Sequence, residues 1–285
     1  PSPTKQKATT VGVSRYTFGD RMNLNRILSR LTGFQVNRSN QPVKLAGVER
    51  NDLTIIESVS DRTMTSPIRL LNAILSVRYV AANRIPGAIV ECGVWRGGTC
   101  MAMAQALLEI GVTDYDFYLF DTYQGMTPPS DFDRRLQDGR SASNLKWEAD
   151  DALRQENRFV NDVTAYASVE DVREGMLSTG YPSSRIHLVP GNVSDTLEAH
   201  LPESIAILRL DTDWYESTLH ELEVGWPRLS TFGVLILDDY DFWAGSRQAV
   251  DQYFAKLKLH PLLARMDEGR LVIKVKALPL GAENQ

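Results

Sequence analysis

The 285-residue chain, 43% hydrophobic and 24% charged, is long enough to bury a substantial core, and no apolar run reaches the roughly 20 residues that a membrane span needs. Its 31 basic and 36 acidic residues give a net charge of -5 and are mixed along the sequence, which leaves no basic stripe for a nucleic-acid backbone. Cys92 and Cys100 sit in apolar surroundings and read as buried thiols, which fits a reducing cytoplasm.

The opening "PSPTKQKATTVG" is polar and lacks an apolar export signal, so 1–20 is expected to be a mobile tail. Apolar residues recur at spacings of three and four over 21–31 and 66–84, which predicts N-terminal helices, the second opened by Ser66 and Pro67. Short apolar runs follow: "AIVECG" from 88, "FYLFD" from 117, "IHLVPG" from 186, "IAILRLD" from 205 and "GVLILDD" from 233. Continuous apolar strands with helical segments between them indicate the α/β class, a parallel sheet covered on both faces. The polar stretch 127–182 exceeds an ordinary connection and is expected to be an inserted, partly helical lid. After the helix "SRQAVDQYFAKL", two strand-like runs flank Asp267-Glu268-Gly269 and predict a hairpin. That hairpin puts one antiparallel strand into the sheet, which favours a methyltransferase-like arrangement over a nicotinamide-binding one. One domain is expected over 1–285, its core beginning at 85.

Residues 90–99, "VECGVWRGGT", end a strand on Glu91 and Gly93 and start a helix after Gly97-Gly98, where glycines let the backbone approach a ligand closely. The spacing is not the G-x-G-x-x-G of dinucleotide sites, and Glu91 would repel a pyrophosphate. A cationic amino-acid moiety, such as the methionine part of S-adenosylmethionine, would tolerate that carboxylate, and Asp121 at the end of the next strand is placed for ribose hydroxyls. A generic strand-to-helix turn explains the same glycines. In "LRLDTDWYEST", Asp211 and Asp213 close the fourth strand, and in "LILDDYDFW", Asp238 and Asp239 close the fifth. Ligands of open parallel sheets bind beyond the carboxyl ends of the strands, so these acids are expected to converge. Such a cluster is costly without a cation or a shared proton, and all-oxygen donors suit magnesium or calcium rather than zinc. Helix capping is the alternative, with Asp213 and Asp241 placed ahead of "YESTLHELE" and "AGSRQAVDQ". Trp214, Tyr215, Tyr240 and Trp243 fit either the core or a pocket wall, and the scattered histidines are given no role.

Taken in order, "DRTMTSPIRLLNA", "ECGVWRGGTCMAMA", "LFDTYQGM", "LRLDTDWYEST" and "VLILDDY" make residues 57–275 resemble the macrocin-type (TylF-like) O-methyltransferases of antibiotic biosynthesis. That family methylates deoxysugar hydroxyls, including the noviose sugar in an aminocoumarin branch. The resemblance implies a class I, Rossmann-like fold: a mostly parallel seven-stranded sheet with one antiparallel strand and helices on both faces. It implies S-adenosylmethionine as methyl donor and a divalent metal, usually magnesium. By position it implies Asp211, Asp238 and Asp239 as metal ligands and Asp213 as general base. Cofactor contacts are implied for Glu91, Gly93 and Asp121, with Met64, Thr65 and Asn192 beside them. The implied acceptor is a small-molecule glycosylated natural product, handled by a cytoplasmic homo-oligomer with neither nucleic-acid nor membrane partner. Three carboxylate ligands leave room on an octahedral ion for two neighbouring acceptor oxygens and a water, hence a vicinal diol. Catechol-type methyltransferases share the pattern but carry Asp-Asn where this chain has Asp238-Asp239. The rival readings are a nicotinamide-dependent oxidoreductase, opposed by the glycine spacing and the hairpin, and a non-catalytic binding module, opposed by the complete acid set.

Overall fold

The structure, a computed structural model, describes residues 45–145 and 165–276. The tail expected over 1–20 and the helix expected over 21–31 lie outside the described residues. Two helices lead into the sheet, α1 (Arg50–Ser58) and α2 (Pro67–Ala82). Pro67 sits in the first turn, where a missing N–H costs little, and the Ser66 side chain accepts from the Arg69 N–H, as the sequence predicts.

The alternating part follows as β1 (Ala88–Cys92), α3 (Gly98–Glu109), β2 (Phe117–Asp121), α4 (Val169–Ser178), β3 (Ile186–Pro190) and α5 (Val193–His200). It continues with β4 (Ile205–Leu210), α6 (Tyr215–Arg228), β5 (Leu229–Leu237) and α7 (Ala244–Lys256), and ends in the hairpin β6 (Ala264–Met266) and β7 (Gly269–Ile273). All seven strands form one sheet in the order β3-β2-β1-β4-β5-β7-β6. The pairs from β3 to β5 are parallel, while β7 runs antiparallel to both β5 and β6.

Every residue of β1 and β4 is buried, so alternate side chains feed two separate cores. Ile89, Ile207 and Ile236 face the layer that holds α1 to α4, whereas Val90, Leu208 and Leu235 face α5 to α7. This two-sided cover is why the strands read as unbroken apolar runs. Strand β5 begins at Leu229 rather than at 233. Its first residues are half-exposed or exposed, its register against β4 shifts between Ile205 and Ile207, and Phe232 takes a φ of 67°, so this stretch lacks the apolar signature of a buried strand.

The segment 127–182 divides into parts with different roles. Residues 169–178 form α4, which packs on α3 and β3 and belongs to the crossover between β2 and β3 that any parallel pair requires. Residues 127–145 are tied to the carboxyl end of the sheet. The Trp214 indole N–H donates to the Thr127 carbonyl (3.0 Å), Arg135 pairs with Trp243 in an isolated antiparallel bridge, and fully buried Asp133 accepts the Tyr215 N–H (2.8 Å). The first turn of α6 is therefore capped from outside by Asp133. Neither Asp213 nor Asp241 caps the helix that follows it. Residues 146–164 lie outside the described part.

Candidate active site

Strand order reverses between β1 and β4, and a cleft opens beyond their carboxyl ends. Gly93 turns the chain there with a φ of 80°, and a Cβ at this position would lie 2.0 Å from the Asp211 carbonyl oxygen. Asp121 holds the same turn in place, accepting N–H bonds from Val94 (2.7 Å), Trp95 (3.0 Å) and Tyr123 (2.7 Å). A carboxylate has about four acceptor positions, so about one is left for a ligand hydroxyl. Gly93→Ala combines a backbone clash with left-handed strain of order 1–3 kcal/mol. It is expected to weaken S-adenosylhomocysteine binding at least about tenfold. Calorimetry checks this, and an unchanged affinity would place the cofactor elsewhere.

The cleft brings together the residues picked out in the sequence except Asp239, which is not on its lining. Met64, Thr65, Glu91, Gly93, Asp121 and Asn192 line one part of it, and Asp211, Asp213 and Asp238 line the rest. One carboxylate oxygen from each of Asp211, Asp238 and Asp239 lies within 4.8 Å of the others, and among the described residues no other group of acids, histidines or cysteines gathers this way. Asn192 spends its side-chain oxygen on the first turn of α5, accepting from the Ser194 N–H (3.1 Å).

Two arginines not singled out in the sequence organise the acids. Arg209 is 1% exposed and is the register partner of Glu91 across β1 and β4, so the two side chains share a face and form an ion pair. Its guanidinium also reaches Asp211 (2.7 Å), Asp238 (2.5 Å) and the Thr65 hydroxyl (2.8 Å). Arg69, from the first turn of α2, pairs with Asp238 from the other side. Burial raises the Glu91 carboxyl, with Arg209 opposing. Burial would raise Asp238 too, but Arg209 and Arg69 together hold it below its ordinary value. Asp211 and Asp239 are pushed well up, by burial first and then by their carboxylate neighbours. Asp213 is pushed up to about 8 by burial and then by Asp211.

Four carboxyl groups, Glu91, Asp211, Asp238 and Asp239, thus face two guanidinium groups, and the shortage of positive charge is greatest where Asp211 and Asp239 meet. The all-oxygen donor set and the uncompensated charge fit a hard divalent cation. Asp213 adjoins this cluster through its contact with Asp239, and its orientation is set by its backbone, at a φ of 67°, and by the Trp243 indole N–H, which donates to Oδ1 (2.8 Å). Left-handed backbone at a non-glycine residue is strained and persists only when its surroundings impose it.

The wall beside Asp213 is apolar: Trp214 and Trp243 meet edge to face with ring centroids 5.2 Å apart, and Met126, Ala142 and Leu145 complete it. Of the aromatics flanking the acids, Trp214 and Trp243 are both packed and pocket-lining, whereas Tyr215 and Tyr240 lie off the cleft and bond to Gln252 and Asp251. An arginine in the middle of "ILRLD" was the available sign of Arg209, because a buried strand can hold a guanidinium only against carboxylates.

The profile of the macrocin-O-methyltransferase (TylF) family matches residues 8–272. Demethyldecarbamoylnovobiocin O-methyltransferase of Streptomyces niveus is 33% identical over 205 residues, 72% of each chain. Mycinamicin III 3''-O-methyltransferase of Micromonospora griseorubida is 31% identical over 191 residues, 67% of this chain and 69% of that one. Among solved structures, the O-methyltransferase NovP superposes with a TM-score of 0.63 at 27% identity, over 89% of this chain and 100% of that one. The calicheamicin methyltransferase CalS11, at 19% identity and a TM-score of 0.53, shares the fold over 94% of this chain and 99% of its own. With its seven-stranded sheet, its glycine turn and its acids at one carboxyl edge, the chain belongs to the macrocin-O-methyltransferase (TylF) family and is an O-methyltransferase.

Proposed function

We propose that the protein transfers a methyl group from S-adenosylmethionine to a hydroxyl of a deoxysugar on a glycosylated natural product, with magnesium held by Asp211, Asp238 and Asp239. The observation that carries this reading is the meeting of those three carboxylates, within 4.8 Å, two of which, Asp211 and Asp238, line the same cleft as Gly93 and Asp121. The relatives support the acceptor class, since their names specify a novobiocin precursor and a mycinamicin.

In this reading Glu91, Gly93, Asp121, Met64, Thr65 and Asn192 would hold the cofactor, with the glycine turn leaving room for its close approach to the backbone. Bound there, the cation and the cofactor supply, respectively, positive charge that acidifies an acceptor hydroxyl and the methyl group itself. Arg69 and Arg209 keep Asp238 ionised, and Arg209 holds Asp211 by an ion pair. Asp213 takes the proton, its carboxylate turned to the acceptor by Trp243. The indole walls exclude water and offer a flat apolar face to the sugar ring. Residues 127–145 act as a cover anchored beside the acids through Thr127, Asp133 and Arg135. The same reading makes the protein a cytoplasmic homo-oligomer, which light scattering tests for assembly.

Incubating glycosylated aminocoumarin and macrolide precursors with methyl-labelled S-adenosylmethionine tests the activity, and label in none of the sugar hydroxyls would overturn the acceptor class. With an acceptor in hand, EDTA should abolish turnover and magnesium restore it. Full activity in metal-free buffer would remove the cation from the site.

A further inference from the structure

Glu221 lies on α6, is 1% exposed, and has no place in the reaction described above. Its Oε1 is 2.9 Å from the hydroxyl of Thr212, the residue between Asp211 and Asp213. The same hydroxyl is 2.9 Å from Ser217 Oγ, which in turn lies 3.2 Å from the Trp214 carbonyl. A hydroxyl carries one hydrogen, so these contacts form a chain with a direction. The Thr212 hydroxyl donates to Glu221 Oε1, and Ser217 donates to the Trp214 carbonyl, which ends the chain on backbone. Burial pushes the Glu221 carboxyl up to about 8, in keeping with the protonated form at neutral pH.

The chain encloses the turn that carries Asp211 and Asp213. That turn is strained at Asp213, where φ is 67°, and the Trp214 N–H closes back on the Thr212 carbonyl (2.8 Å). Strain of this kind relaxes unless neighbouring contacts over-determine it. Glu221 is an expensive way to fill the interior, since its Oε2 has no hydrogen-bond partner among the described residues and a leucine would pack without that desolvation. Its geometric product is the fixed position of Thr212.

We propose that Glu221 is a positioning residue that acts through the Thr212 hydroxyl to set the Asp211-Thr212-Asp213 turn, and so the placement of the cation-binding and proton-accepting carboxylates. The proposal rests on the reading of Asp211 as a cation ligand. Partners one step removed from a ligand typically govern affinity by about 10–100-fold.

Manganese binding to protein saturated with S-adenosylhomocysteine, followed by electron paramagnetic resonance, provides the test. Glu221→Leu and Thr212→Val should each weaken manganese binding about tenfold. Affinity for S-adenosylhomocysteine should stay within about twofold in Glu221→Leu, because that side chain, unlike Thr212, is not on the lining of the cleft. Glu221→Gln and Thr212→Ser keep a hydrogen bond at the same place and should bind manganese nearly as the parent does. The double variant Glu221→Leu/Thr212→Val should be no weaker than the worse single one, since both remove one contact. Should Glu221→Leu unfold, the Gln, Ser and Val variants carry the comparison. Parental manganese affinity in Thr212→Val, Gln and Leu variants equally impaired, or additive losses in the double variant would each overturn the proposal. Failure of the parent protein itself to bind manganese would instead defeat the reading of the acid cluster, and the proposal with it.

Discussion

Asp213→Asn should lower kcat by about 10²–10⁴-fold while KM for cofactor and acceptor stays close to the parental values. Asparagine keeps the size, still accepts the Trp243 N–H through its carbonyl oxygen, and tolerates left-handed backbone, so the turn survives and only the base is lost. The pH dependence carries a sign. In the ligand-free cleft, burial and then Asp211 push Asp213 up to about 8, so the group is mostly protonated at neutral pH. A base must be ionised, and positive charge entering with the cation and cofactor lowers its pKa. The acid limb of the parental kcat/KM profile should therefore move down as magnesium saturates, and Asp213→Asn should lack that limb. Asp211→Asn should behave differently, recovering part of its activity at high magnesium because a ligand rather than a base is missing. An Asp213→Asn enzyme that turns over like the parent, or that magnesium rescues, would assign the base to another residue.

Arg209→Met is expected to destabilise the fold by about 3–5 kcal/mol at neutral pH, the cost of leaving buried carboxylates without their partner. Methionine fills a similar volume, so the loss reports charge rather than a cavity. The deficit should narrow in acid. Asp238 is held below its ordinary value of 3.8 because Arg209 and Arg69 outweigh burial, so its stabilisation is complete above that value and lost as pH falls through the folded one. Without Arg209 that contribution shrinks, and Glu91 and Asp211, already raised by burial, pick up protons at still higher pH. Urea unfolding between about pH 3 and pH 8 measures both effects. A deficit independent of pH would show that packing, not charge, is what the guanidinium supplies. A loss below about 1 kcal/mol would show that solvent or a bound ion replaces it.

The strands were legible because burial on both faces leaves long apolar runs, as in "IAILRL", and the acids after β4 and β5 were legible because strand ends of a parallel sheet share one edge. The hairpin and the start of α2 could be read from their turn and capping residues. The early part of β5 could not, since residues 230–232 are half-exposed or exposed and the register slips beside them. The role of residues 169–178 was hidden by the length of the polar segment in which they lie, although some helix had to carry the chain from β2 to β3. At the site, the acids announce themselves by clustering along the sequence. Their counter-ions do not. Arg69 comes from an element far from Asp238 in the chain, and the pairing of Glu91 with Arg209 across β1 and β4, which shows how the charges are balanced, joins strands more than a hundred residues apart.

Trp243 faces in two directions at once. Its ring is part of the apolar wall with Trp214 and Met126, its backbone bridges to Arg135, and its indole N–H holds Asp213. On the proposed function, acceptor preference and turnover both depend on this one side chain and cannot be adjusted independently there. Broadening the range of sugars by trimming this indole would slow transfer to every one of them, while trimming Leu145, which touches the wall but has no link to the carboxylate, would alter preference at little cost in speed. Divergence of acceptor range among proteins built this way is thus channelled toward the 127–145 side of the cleft and away from the residue that follows β5.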